Sequence, residues 1–361
     1  MALTSTSHTV VVSPGVRRTI RAFVLWPSWL LFVVLTLLFA TGLAVPPWAE
    51  YAPFALSLAL FGLPHGAVDH LAVPRLLGHE PWPWPVLLVG LLYLALSGLY
   101  LALWFVVPVA AFVLFIALTW FHWGAGDLHA LTAFISDGTV YPSGRARRAL
   151  TLLVRGGLPM LVPLLAFPET YRTVAESVVS LLAPGSGDVL SWAFEPSFRL
   201  LAGLAFTLFA VGALVSGYWD AQKSGARQTW RADAAEMTLL AAYFTFVPPV
   251  LAVGLYFCLW HAPRHVARLA LLDEKSATAL EAGRIVPALV LFGRDAAPLT
   301  VAALFLLLGL YLVAPGAGGS GPSELLALYL VLISALTLPH VVVVSFMDVG
   351  QGLWRRSVPE A

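Results

Sequence analysis

Charge is scarce in this chain: Asp, Glu, Lys and Arg make up 11% of 361 residues and hydrophobic types 60%. Soluble proteins carry roughly 25% and about 45–50% respectively, so a soluble fold is excluded. Lysine is confined to Lys223 and Lys275, both in charged stretches, which leaves no amine nucleophile within an apolar run. Cys258 is the sole thiol, and this removes internal disulfides and CxxC metal sites. The formal charge of +1 offers nothing to nucleic acid. No phosphate-cradling glycine loop and no internal repeat is present.

What the chain has instead is length without charge. Residues 22–49, 81–126, 200–219, 237–263, 296–323 and 325–347 carry no ionised side chain. About 20 apolar residues cross a ~30 Å hydrocarbon core, and a buried charge there is costly. The run 81–126 suffices for two crossings with Pro108 as the break, 51–68 is a shorter span, and 149–167 is a weaker one that contains Arg155. Continuous apolar runs without alternation predict an all-α, polytopic transmembrane helix bundle of about eight to ten helices. The first stretch, 23–45, exceeds the roughly 7–15 residues of a signal-peptide core and reads as a retained anchor.

Arg17, Arg18 and Arg21 precede that anchor and place the N-terminus in the cytoplasm by the positive-inside rule. Alternating crossings then put Arg75, the Arg145–Arg148 cluster, Lys223 with Arg227 and Arg231, and Arg355 with Arg356 on the same side. At Pro248-Pro249 charge favours two helices over one kinked helix, although each half is short. Trp26, Trp29, Trp82, Trp84 and Trp219 fall near span ends as interfacial anchors. The loops at 315–323 and 185–187 mark no domain boundary. The expected organisation is a cytoplasmic segment 1–21, one transmembrane domain 22–348 and a cytoplasmic tail 349–361, in the cell membrane.

Of nine histidines, His8 and His79 stand in polar surroundings and the other seven cluster. His65 and His70 end the second span, His122 and His129 the fourth, and His261 and His265 the eighth, with His340 toward the end of the last. In the alternating topology these helices all run the same way, so the motifs arrive at one depth. A lone intramembrane histidine is often a packing residue or part of a proton path; four converging motifs point to a shared metal site. His261 and His265 share a helical face at i, i+4 spacing, and Asp69 stands in the same relation to His65, where it would orient the imidazole. Neutral imidazoles without thiolates suit Fe, Zn, Cu or Ni. For His70, His129 and His340 a structural role, or one behind the ligands, weighs at least as much as direct ligation, while Asp348 reads as a helix end at the interface and Arg264 as snorkelling or neutralising a nearby acid.

At these motifs the chain resembles the Brp/Blh family of integral-membrane β-carotene 15,15′-dioxygenases, bacterial and archaeal enzymes that supply retinal to microbial rhodopsins. The matching runs are Gly62-Leu63-Pro64-His65-Gly66-Ala67-Val68-Asp69, His122-Trp123-Gly124-Ala125-Gly126-Asp127, His261-Ala262-Pro263-Arg264-His265 and Leu338-Pro339-His340, and the likeness extends over 61–348. The resemblance implies Fe(II) held by His65, His122, His261 and His265, with His340 as a fifth contact or a supporting group and Asp69 and Asp127 as orienting groups. It further implies β-carotene and O₂ as substrates, entry of the carotenoid from membrane lipid, and no separate general acid or base. A membrane di-iron hydroxylase or desaturase is an alternative, but its HxxHH box is missing from this sequence. A histidine-based metal or proton transporter is the non-enzymatic alternative.

Overall fold

A computed structural model describes residues 12–78, 83–185, 187–314 and 321–354. His8, His79, Trp82, Arg355, Arg356, part of the 185–187 loop and most of the 315–323 loop lie outside the described residues. Proline sets many of the helix starts, because a missing N–H costs nothing in a first turn. Helix α1 is Pro14–Ala40, α2 Pro47–Ser57, α3 Asp69–Leu76 and α4 Pro83–Val106. Pro108 opens α5, Pro108–Ile135, followed by α6 Gly144–Ala166, α7 Pro168–Ser180, α8 Pro196–Ser224 and α9 Arg227–Phe246. Helix α10 covers 249–270, then come α11 Glu274–Glu281, α12 Ile285–Val313 and α13 Pro322–Gly350.

Among the described residues, seven helices (α1, α4, α5, α6, α8, α12 and α13) are long and apolar enough to cross a membrane. The leucine-rich outer faces of α4, α8 and α12 are exposed, as a lipid-facing shell requires, while α10 and α13 are largely buried inside it. The chain does divide at Pro248-Pro249, into α9 and α10. Arginines of several loops tie helix ends together. Arg21 donates to Phe134 O at 3.0 Å and Ile135 O at 2.6 Å, Arg148 to Leu353 O at 2.7 Å, and Arg75 pairs with Asp295 at 2.6 Å.

Two expectations change. The span at 51–68 is not one helix: α2 stops at Ser57, the backbone bends through 58–62, and Leu63–Val68 is a tight 3₁₀ segment leading into α3. Gly62 permits the bend, since a side chain there would strike the Ser57 side chain and carbonyl. Non-helical backbone is tolerated at this depth because Gly62, Leu63 and His65 line an internal cavity. Trp29, expected as an interfacial anchor, turns inward and donates to Glu236 Oε1 at 2.6 Å.

Glycine also fixes how α5 meets α6. A side chain on Gly156 would run into the Trp120 carbonyl, and one on Gly124 into the Leu152 carbonyl, so the two backbones touch directly. Gly156→Val is therefore expected to lower stability by about 1–3 kcal/mol, the range for overpacking, seen as a lower unfolding temperature of the detergent-solubilised protein. An unchanged transition would show that the close contact is not needed.

Candidate metal centre

Four separate chain segments bring imidazoles together at one point. His65 comes from the 3₁₀ segment, His122 from α5, His261 and His265 from α10, and His340 from α13. All five are buried. Ring centroids lie 4.6 Å apart for His122 and His340, 4.7 Å for His122 and His261, 4.9 Å for His65 and His340, and 5.1 Å for His265 and His340. His261 and His265 stack at an interplanar angle of 10°, as their i, i+4 spacing requires. Pro263 does not disturb them: a π-helical turn, Tyr256–His261, precedes it, and the proline falls in the first turn of the α-helix Ala262–Ala270.

The local hydrogen bonds fix which nitrogen faces the centre. The bend at Gly62 frees its carbonyl, which accepts from His65 Nδ1. His340 Nδ1 is held by Asp69 Oδ2 at 2.7 Å, and Tyr93 donates to the same oxygen at 2.6 Å. Both rings thus turn Nε2 toward the cluster. His122 Nε2 lies 3.0 Å from His261 Nε2 and 3.2 Å from His340 Nε2. One proton on His122 Nε2 can satisfy only one of these neighbours, and a shared cation satisfies all of them. His265 Nε2 is buried without any hydrogen-bond partner, a state that a metal bond would relieve. Ligand atoms of His65, His122 and His340 lie within 4.8 Å of one another, as do those of Asp69, His265 and His340. The residues present fit a metal ion.

His340 stands among the other four rings rather than behind them. Asp69 orients His340, not His65: the segment carrying His65 is 3₁₀, so i, i+4 stacking does not apply, and the carboxylate reaches α13 instead. Asp127 meets none of the five rings by hydrogen bond among the described residues. It accepts from Trp260 at 3.0 Å and pairs with Arg264 at 3.2 Å and Arg155 at 3.5 Å. Arg264 does neutralise acids, Asp127 and Glu236, while stacking 3.8 Å over the Trp260 ring. His70 sits apart with Nδ1 on Ala67 O at 2.9 Å, and His129 packs against Phe134. Asp348 does lie in the last turn of α13, where it is buried and paired with Arg268 at 2.8 Å. Tyr93 carries no motif and nothing in the sequence singles it out.

Beside the cluster opens a cavity of about 540 Å³, walled almost wholly by apolar side chains, with His65, His122 and His340 among its lining. Phe257 stands edge-on to His65 at 5.4 Å, and Trp123 lies 5.7 Å from His261, so aromatic faces border the imidazoles. The walls suit a long hydrocarbon.

The comparisons with known proteins agree with this geometry. Residues 56–348 match the family model described as Beta-carotene 15,15′-dioxygenase. The chain is 46% identical over 338 residues to a protein of Halobacterium salinarum named "Probable beta-carotene 15,15′-dioxygenase Blh", covering 93% of this chain and 95% of that one. It is 31% identical over 327 residues to "Probable beta-carotene 15,15′-dioxygenase Brp" of the same species, at 88% coverage of each. A "Beta-carotene 15,15′-dioxygenase" of an uncultured marine bacterium is 23% identical over 225 residues, 62% of this chain and 70% of that one. No solved structure matches. With four matching histidine motifs converging beside an apolar cavity, and a family match running through every one of them, the chain belongs to the β-carotene 15,15′-dioxygenase family.

Proposed function

We propose that this membrane enzyme cleaves the central double bond of β-carotene with dioxygen, giving two molecules of retinal, at an Fe(II) ion held by His65, His122, His261 and His265. His340 is close enough to complete or brace the set. The observation that carries the reading is the convergence of five buried imidazoles, of which His65, His122 and His340 line an apolar cavity. Iron is chosen over zinc because dioxygen chemistry needs a redox-active ion. When bound, the ion would supply a site for activating O₂. The overall step balances without another reductant: one C=C bond breaks, two C=O bonds form, and each oxygen atom of O₂ ends on one product.

The chain's own contribution is placement. The Gly62 carbonyl and the Asp69 carboxylate hold the His65 and His340 rings in one tautomer and direction. Apolar walls exclude water and fix the polyene beside the rings, which is where most of the protein's leverage on an uncharged substrate lies. No side chain is needed as general acid or base. The cell membrane is the proposed location, with the arginine-rich loops toward the cytoplasm.

The test uses purified, Fe(II)-loaded protein given β-carotene with and without air, and assays retinal and bound metal together. Retinal made only with both metal and oxygen is expected; retinal from metal-free protein would reject the reading. In the same assay Asp69→Asn, which keeps the shape but weakens the grip on His340, is expected to reduce metal affinity about 10–100-fold. Unchanged affinity would remove Asp69 from the site.

A further inference from the structure

The cavity is lopsided about the histidines. His340 is its last lining residue along α13, and Thr337, Ile333, Leu330 and Leu326 precede it. At about 1.5 Å per residue, Leu326 lies roughly 21 Å along α13 from His340, and Phe112 roughly 15 Å along α5 from His122. Helix α10 agrees: Val250 lines the cavity roughly 16 Å from His261. On the opposite side Val89 reaches only roughly 6 Å beyond Tyr93. Helix α7 crosses the far end, where Tyr171 and Ala175 line the cavity with Phe54 and Leu326. Ala175 is buried and Tyr171 backs onto Phe194, so this end is closed.

The side is not closed. Leu94 on α4 lines the cavity yet is 73% exposed, and Leu299 on α12 is 41% exposed, which puts an opening toward lipid between these helices. Gly90 and Gly98 on α4 face open space there.

We propose that the enzyme measures its cut from one end: one ring and one polyene arm fill the blind pocket until the ring meets Phe54, Tyr171, Ala175 and Leu326, while the other arm remains at the α4–α12 opening. Pocket depth, not recognition of both halves, then sets which double bond lies beside the imidazoles. This inference rests on the carotenoid-cleaving reading above. Each cut consumes one O₂ and leaves one carbonyl on each fragment, so moving the bond yields two unequal aldehydes whose carbons still sum to the substrate.

The experiment is product analysis of full-length, metal-loaded variants with β-carotene and air. Ala175→Phe shortens the pocket, and a pair of unequal aldehydes, the shorter from the buried arm, is expected in place of retinal. Tyr171→Ala deepens it by truncation far from the rings, and here the buried arm is expected to give the longer aldehyde. Retinal as the sole product of Tyr171→Ala, or shifts in the same direction in both variants, would overturn the measuring pocket while leaving the activity intact. A parent protein that makes no retinal would instead reject the activity, and the pocket's proposed role with it.

Discussion

His122→Ala protein is expected to purify without bound iron and to form retinal more than about a hundredfold more slowly than the parent, beyond the 10–100-fold that follows loss of an outer hydrogen bond. The reason is position: His122 Nε2 lies within 3.2 Å of both His261 Nε2 and His340 Nε2, so its ring is the one shared by the two sides of the cluster. Removing it leaves His261 without its nearest ring and His340 with only His65 and His265 beside it. Metal analysis and retinal assay on one sample check both effects. His129→Gln serves as the comparison, since His129 lies two turns further along α5, packed on Phe134, and should leave the metal content unchanged. Stoichiometric iron in His122→Ala would remove this residue from the ligand set.

Much of this architecture is legible from charge alone. A helix that must cross hydrocarbon declares itself by what it omits, and residues 22–40, 83–106, 108–126 and 325–347 of the charge-free runs are helical. What the apolar runs hide is local backbone. Nothing in the hydropathy of 51–68 distinguishes an unbroken helix from α2, a bend and a 3₁₀ segment; the cues were Gly62 and Pro64, easily read as mere ligand neighbours. That hidden break misassigned Asp69, because i, i+4 stacking presumes a continuous α-helix. Asp127 was recoverable: five positions after His122 on a regular helix points it well away from the imidazole, toward the guanidinium groups where it is found. The partner it meets there, Arg155, was visible as a lone charge in an otherwise apolar span, a pattern that calls for a named partner inside the membrane. Asp233 and Glu236, i, i+3 on α9, supply it.

That buried network is the second place where one side chain should matter most. Arg155, fully buried, donates through Nε and Nη2 to Asp233 at 3.0 Å and 2.7 Å and through Nη1 to Glu236 at 2.8 Å. Arg264 pairs with Asp127 and Glu236, Trp260 and Trp29 donate to the same Asp127 Oδ1 and Glu236 Oε1 atoms, and Tyr141 donates to Asp233 Oδ2. Two guanidinium groups thus face three carboxylates. Arg155→Leu would leave those carboxylates with Arg264 alone, and removing one partner from a buried ion pair typically destabilises by about 3–5 kcal/mol. The expected result is a large fall in unfolding temperature together with reduced metal content, because Arg264 sits between His261 and His265 and links the network to the rings. Adding Asp233→Leu should recover part of the loss, since it removes the carboxylate that Arg155 contacts most; the single and double variants form a cycle that isolates the pair. If Arg155→Leu unfolds at the parental temperature with its metal retained, the network does not hold the site. If the double variant is no better than the single, packing around the arginine stem rather than stranded charge accounts for the loss.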